Sequence, residues 1–184
     1  MKATELLKQQ HGEVSRLFKA IEKTEDTAEK KSYFLELASN LVAHDGIERE
    51  IFYPACEETM GMDDMLGEAL VEHGVIEFSL YHASQALGQD DFDYKCKVLQ
   101  ELVEHHVEEE EKEFFPKVDK ALGKDKLESL GEDMDEAFQE KRESDYQEPL
   151  FENLRQVLAG ALKTEPEDET QPKAKVTGKS RRTA

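Results

Sequence analysis

Two segments of the 184-residue chain place a histidine and a glutamate four residues apart, His44 with Glu48 and His106 with Glu110. On a helix, positions i and i+4 share a face, so each imidazole projects beside its carboxylate. Neutral imidazole nitrogen and carboxylate oxygen together suit a metal such as iron. Each pair is followed at the same distance by two aromatic residues and a proline, Phe52-Tyr53-Pro54 in one case and Phe114-Phe115-Pro116 in the other.

The two segments are copies of a longer pattern. His11 and His73, His44 and His106, Glu48 and Glu110, and Pro54 and Pro116 are all 62 residues apart. One offset shared by four pairs marks a helical hairpin used twice, its copies related by a pseudo-twofold axis. At about 1.5 Å rise per residue, His11 lies roughly 20 Å before the end of its helix and His44 roughly 25 Å into the next. In an up-down bundle with short loops the two stand at one level, and the same count brings His73 level with His106. Four histidines and two glutamates in one core layer are costly to bury uncompensated. Two cations match six such ligands, with Glu48 and Glu110 free to bridge. The nitrogen and carboxylate set favours iron or manganese, although zinc also accepts it. The Glu-x-x-His motif of ferritin-like di-iron proteins is absent from the sequence.

The elements that must position these residues are read from apolar spacing and breakers. A first helix is expected over 3–24, where Leu6, Leu7, Val14, Leu17, Phe18 and Ile21 keep a helical stripe. With Thr27 as N-cap, a second runs over about 28–59, and Pro54 should kink it or loosen its last turn. A third spans about 64–87 and a fourth about 92–122, stopped by Gly123. Residues 125–143 and 147–163 read as extra helices packed against the bundle or beyond it, and Thr164 onward as a disordered tail. The expected organisation is all-α: an up-down four-helix bundle over 1–123, a helical extension over 124–163, and a tail over 164–184 that is basic at its end.

Composition agrees with that class. Glycine (10) and proline (5) are sparse and tryptophan is absent, which favours helices. No run approaches a membrane span, and the N-terminus lacks a signal-peptide core, so a cytoplasmic protein without membrane contact is expected. Cys56 and Cys96 stand apart with no C-x-x-C, which fits a reducing compartment. The net charge is −19, and residues 173–184 carry five basic side chains and no acid, so the remainder is more acidic still. Such a body repels nucleic-acid phosphate and anionic lipid, and no nucleic-acid partner is expected.

His11, His44-x3-Glu48, His73 and His106-x3-Glu110, each His-x3-Glu pair trailed by its aromatic pair and proline, resemble the hemerythrin-like (HHE cation-binding) family over about residues 3–120. The resemblance implies an oxo- or hydroxo-bridged di-iron centre with His11, His44, His73 and His106 as terminal ligands and Glu48 and Glu110 as bridges. The chain departs from oxygen-carrying hemerythrins in two places. Glu77 stands where they have the second histidine of a His-x3-His pair, and Glu110 follows His106 by four residues where they have an aspartate at five. Both departures resemble the bacterial and regulatory branch, associated with oxygen, nitric oxide or iron sensing and with peroxide or iron-centre chemistry.

Other residues carry plainer expectations. Glu77 is a further ligand, an acceptor for an imidazole N–H, or a solvated carboxylate. The 62-residue offset maps His105 onto Ala43, which prefers His106 as the ligand, and His82 should be exposed. Three of Glu108 to Glu111 should be solvated, and Cys56 should be a small buried filler. Phe52, Tyr53, Phe114 and Phe115 should be core first, and secondly a dry wall around a bound diatomic. Three functions compete: a module that binds or senses O2 or NO or responds to iron; an oxidoreductase acting on peroxide or nitric oxide or repairing iron–sulfur centres; and a helical module with a structural metal.

Overall fold

The computed structural model describes residues 1–62 and 64–159, and among them all regular structure is helical. The expected helix end at 163 and the expected tail from 164 lie outside the described residues. Helix α1 spans Ala3–Lys23 and α2 spans Thr27–Ile47. Asp26 rather than Thr27 caps α2, its carboxylate accepting from the Ala28 and Glu29 amides at 2.8 and 2.9 Å. The aspartate one residue earlier reaches the second and third free amides of the helix, and Thr27 becomes its first residue.

Pro54 acts more specifically than a kink. After Ile47 the chain widens into a π turn over Glu48–Phe52, then resumes as α3, Tyr53–Met60. The Tyr53 amide bonds to the Glu48 carbonyl five residues back, and Pro54 occupies the first turn of α3. A proline there has no N–H to give, and its ring would press on a carbonyl one α-turn earlier, so the wider turn accommodates it. The second hairpin repeats the device. Helix α4 spans Asp64–Gln85 and α5 spans Phe92–Glu109, a π turn comes next over Glu110–Phe114, and α6 runs Phe115–Leu122. Each π turn begins on the glutamate of a His-x3-Glu pair. The extra residue rotates the downstream helix by about 100°, which is how Tyr53 and Phe115 come to face the histidine layer.

Helices α1, α2–α3, α4 and α5–α6 form the four-helix bundle. Gly123, at φ +75°, turns the chain into α7, Lys124–Glu143, and α8, Gln147–Leu158, completes the described chain. Helix α7 packs along α2 and α1, and α8 packs on α4. The core falls into two apolar halves. One is built on Leu17, Phe34, Leu37, Leu80, Phe92 and Leu99 and takes in Leu150 and Leu154 of α8. The other is built on Leu7, Ile47, Phe52, Tyr53, Leu66 and Phe114 and takes in Leu127, Met134 and Phe138 of α7. Between the halves lies a layer of buried polar side chains. No helix among the described residues is long and apolar enough to cross a membrane.

Candidate metal centre

The layer contains all six residues singled out by the repeat. His11 comes from α1, His44 from α2, His73 from α4 and His106 from α5, and the two π turns supply Glu48 and Glu110; all six are buried. The imidazoles meet in pairs. His11 Nε2 lies 3.3 Å from His44 Nε2, and His73 Nε2 lies 2.9 Å from His106 Nε2. Glu48 Oε2 is 3.2 Å from the Nε2 atoms of both His44 and His73. Glu110 Oε2 stands 3.4 Å from His11 Nε2 and 3.5 Å from His106 Nε2. Each carboxylate therefore reaches from one imidazole pair to the other. Two overlapping ligand groups result: His11, His44, Glu48 and Glu110, and Glu48, His73 and His106.

The orientation of the rings is fixed from behind. His11 Nδ1 pairs with Glu111 at 2.9 Å, His44 Nδ1 with Gln10 Oε1 at 2.7 Å, and His106 Nδ1 with Glu72 at 2.8 Å. His73 Nδ1 donates to Asp45 Oδ1. An acceptor on Nδ1 places the proton there and leaves Nε2 a bare lone pair facing the layer, the usual way a protein presents imidazole to a metal. Four such nitrogens turned on one another have no mutual hydrogen bonds to make. Both Glu48 oxygens and Glu110 Oε2 are buried without a hydrogen-bond donor. Buried groups left unpaired in this way are costly, and cations among them would satisfy all of them at once. The residues fit a metal.

The electrostatics of the side chains alone tell the same story. Burial, then Glu110, pushes the Glu48 carboxyl well above the usual carboxylate range. Burial opposes ionisation of Glu110 too, but His106 and His11 outweigh it and hold its carboxyl low. Burial, then His11, pushes His44 well below the usual imidazole value. Without a cation, the burial of His11 is outweighed by the closeness of Glu110 and Glu111, which raises it to about 9, so there its Nε2 takes a proton that a cation would displace. The layer thus partitions protons unevenly among groups that a cation would keep deprotonated.

Several participants escaped the sequence reading. Gln10 and Glu72, the Nδ1 partners of His44 and His106, are themselves 62 residues apart, and the repeat could have found them. Glu111 is half-exposed yet bound to His11, so it is not one of the solvated acids of its run. Tyr53 is completely buried; its hydroxyl donates to Glu110 Oε1 at 3.1 Å and lies 2.9 Å from His73 Nε2. Its repeat equivalent, Phe115, has no hydroxyl and stacks on His11 at 5.9 Å between ring centroids. Tyr53 is a polar member of the layer as well as core.

Glu77 is neither solvated nor in the ligand groups. It is buried, accepting from Asn153 at 2.6 Å and from Arg49 at 3.4 Å. Burial, then Asp45, raises it to about 8. His105 is exposed beside Glu72 and Glu109, His82 is exposed, and Cys56 is buried. The cavity next to the layer, about 30 Å3 in volume, opens on the side away from the aromatic residues. Its apolar walls are Val14, Leu41, Ile76, Leu80, Val103 and Val107. A second cavity, about 60 Å3, reaches His106 and Glu110 with Phe114 in its wall, so of the four aromatic residues Phe114 borders a space at the layer.

Comparisons with known proteins place this geometry. The sequence profile of the hemerythrin HHE cation-binding domain matches residues 2–118. A search of curated proteins finds no match. Among solved structures, the fold is similar to that of a hemerythrin HHE cation-binding domain-containing protein from Mycobacterium kansasii. The TM-score is 0.71 at 23% sequence identity, and the match covers 84% of this chain and 99% of that one. At that identity the likeness speaks for the fold, and it extends past the residues matched by the family profile. With the profile spanning the whole bundle, the chain belongs to the hemerythrin HHE cation-binding domain family, whose members bind metal.

Proposed function

We propose that the layer holds two iron ions, and that the protein binds or senses O2 or NO or responds to iron supply through them. His11 and His44 would hold one ion and His73 and His106 the other, with Glu48 and Glu110 available to both. The observation that carries this reading is the set of buried carboxylate oxygens without donors facing four back-anchored imidazoles. Iron held there would supply reversible binding of a diatomic gas and one-electron redox chemistry. The chain's own part is to keep Nε2 deprotonated through the Nδ1 partners and to exclude bulk water with the valine and leucine walls. The cavity of about 30 Å3 that touches all four histidines is room for a water or a diatomic.

Metal analysis and an absorption spectrum, recorded with and without O2 and NO, test the proposal. About two iron atoms per chain are expected, with a band that appears on gas addition and reverses on degassing. One iron or none, or a spectrum indifferent to both gases, would count against it.

A second reading, an oxidoreductase acting on peroxide or nitric oxide, is favoured by Tyr53, whose O–H holds a proton at Glu110 Oε1 inside the layer. Steady-state consumption of peroxide or NO that falls in Tyr53→Phe would select it. Stoichiometric binding without turnover would return the function to binding or sensing.

A further inference from the structure

The family profile ends at residue 118, yet the environment of His73 is completed from residue 153. His73 Nδ1 donates to Asp45 Oδ1, and the same oxygen accepts from Arg49 Nε at 2.7 Å. The other oxygen, Asp45 Oδ2, accepts from Asn153 Nδ2 of α8 at 3.1 Å. That amide nitrogen also donates to Glu77 Oε1 at 2.6 Å. The NH2 end of the amide faces both carboxyl groups and gives one hydrogen to each. Asp45 and Glu77 are both buried, and among the described residues Arg49 is the one cation placed on the two of them, at 2.7 Å from Asp45 Oδ1 and 3.4 Å from Glu77 Oε2. A neutral residue with two donors on one nitrogen joins them without adding charge.

The placement of α8 serves this contact. Leu150 and Leu154 anchor it in the core, and Val157 closes on Gly74, next to His73 in the chain. A Cβ at position 74 would stand 3.1 Å from Val157 Cγ2, so the helix seats where a side chain would keep it off.

We infer that α8 is a working part of the metal centre, with Asn153 a positioning residue that fixes Asp45 and, through it, the orientation of His73. This rests on the metal reading proposed above. Without Asn153, Asp45 Oδ2 loses the amide donor that holds it in a buried setting, and Asp45 is free to turn toward Arg49 and away from the imidazole. A metal-binding histidine that loses its outer partner typically loses about ten- to hundred-fold in metal affinity, and an Asp45 turned away from His73 is lost to it.

The full chain is tested by titrating iron(II) without oxygen against a competing chromophoric chelator, with the metal-free melting temperature measured in parallel. Wild type comes first: no iron binding there would overturn the metal reading itself. Given wild-type binding, Asn153→Ala should weaken the uptake of one iron about ten- to hundred-fold and alter the spectrum of the loaded protein. Val157→Ala, which loosens the same helix but leaves the amide in place, should lower the melting temperature and keep wild-type iron affinity. Asn153→Asp, of the same shape, replaces the donors with acceptors and should bind iron more weakly than wild type, and the melting temperatures show that each variant compared is folded. Wild-type affinity in both Asn153 variants, or equal loss of affinity in Asn153→Ala and Val157→Ala, would overturn the inference and leave α8 a packing element.

Discussion

Glu48 is the least comfortable residue of the molecule. It is fully buried, neither of its oxygens has a donor, and burial makes its ionised form expensive. Replacing it with the isosteric amide, Glu48→Gln, supplies an N–H2 that can donate to the facing Nε2 atoms without the proton that burial forces onto the carboxyl. The metal-free protein should gain stability at neutral pH, by about 1.4 kcal/mol for each pH unit over which the folded carboxyl holds a proton that the unfolded chain has lost, while iron binding is lost. Thermal melts of metal-free protein beside an iron titration check both halves. A variant that is more stable yet cannot bind shows strain retained for function. The six layer residues were legible because the repeat compared two positions for every residue. Tyr53 and Asp45 were not, because the two halves differ there: their equivalents are Phe115 and Val107. A search for symmetry finds what was kept and passes over what diverged.

At the scale of elements, the helix pattern was readable from apolar spacing, and an interruption was expected at Pro54, as a kink or a loosened last turn, but not at Pro116, where the fourth helix was read straight through. That the interruption takes the form of a π turn was not foreseen, since periodicity cannot distinguish a bent helix from one with an added residue. The distinction matters because the added residue, by about 100° of rotation, carries Tyr53 into the histidine layer. The packing of α7 and α8 was likewise beyond periodicity, which reports a buried face but not the surface that buries it. Gly131 of α7 shows how close one such contact is. A Cβ there would run into the Met1 carbonyl oxygen and stand 2.9 Å from the Ala3 nitrogen, both backbone atoms at the start of α1. Gly131→Ala should therefore cost roughly 1–3 kcal/mol, as overpacking does, although alanine is the better helix former. Denaturant unfolding is the measurement, and an unchanged midpoint would mean that α7 gives way without cost.

For the molecule as a whole, the proton inventory predicts a pH response of the metal-free state. His11 is raised from 6.5 to about 9, Glu77 is raised to about 8, and Glu48 is shifted upward as well. In each case the folded protein binds a proton more tightly than the unfolded chain, so stability falls as pH rises through the folded value. Chelator-treated protein should lose melting temperature steadily between about pH 6.5 and 9, the span of the His11 shift. Iron-loaded protein should lose less, because the cations would hold His11 and Glu48 deprotonated throughout and leave only the part due to Glu77, which is not among the ligands. Calorimetric scans of both forms across that range would check it, and a flat metal-free profile would contradict the assignment. Loading with iron should also raise the melting temperature, since a ligand bound only to the native state stabilises it.

The unequal backing of the two imidazole pairs has a consequence in time. His73 and His106 lean on the carboxylates of Asp45 and Glu72, with the Tyr53 hydroxyl beside them. His11 and His44 lean on half-exposed Glu111 and on the neutral amide of Gln10. Anionic partners make an imidazole a stronger donor, so in the proposed di-iron centre the second hairpin would hold its ion harder than the first. Extraction by an excess of chelator should then proceed in two kinetic phases of equal amplitude, the ion at His11 and His44 leaving first. A gene duplicated to make a symmetric cradle would have become, through a few diverged side chains, a device that parts with its ions one at a time.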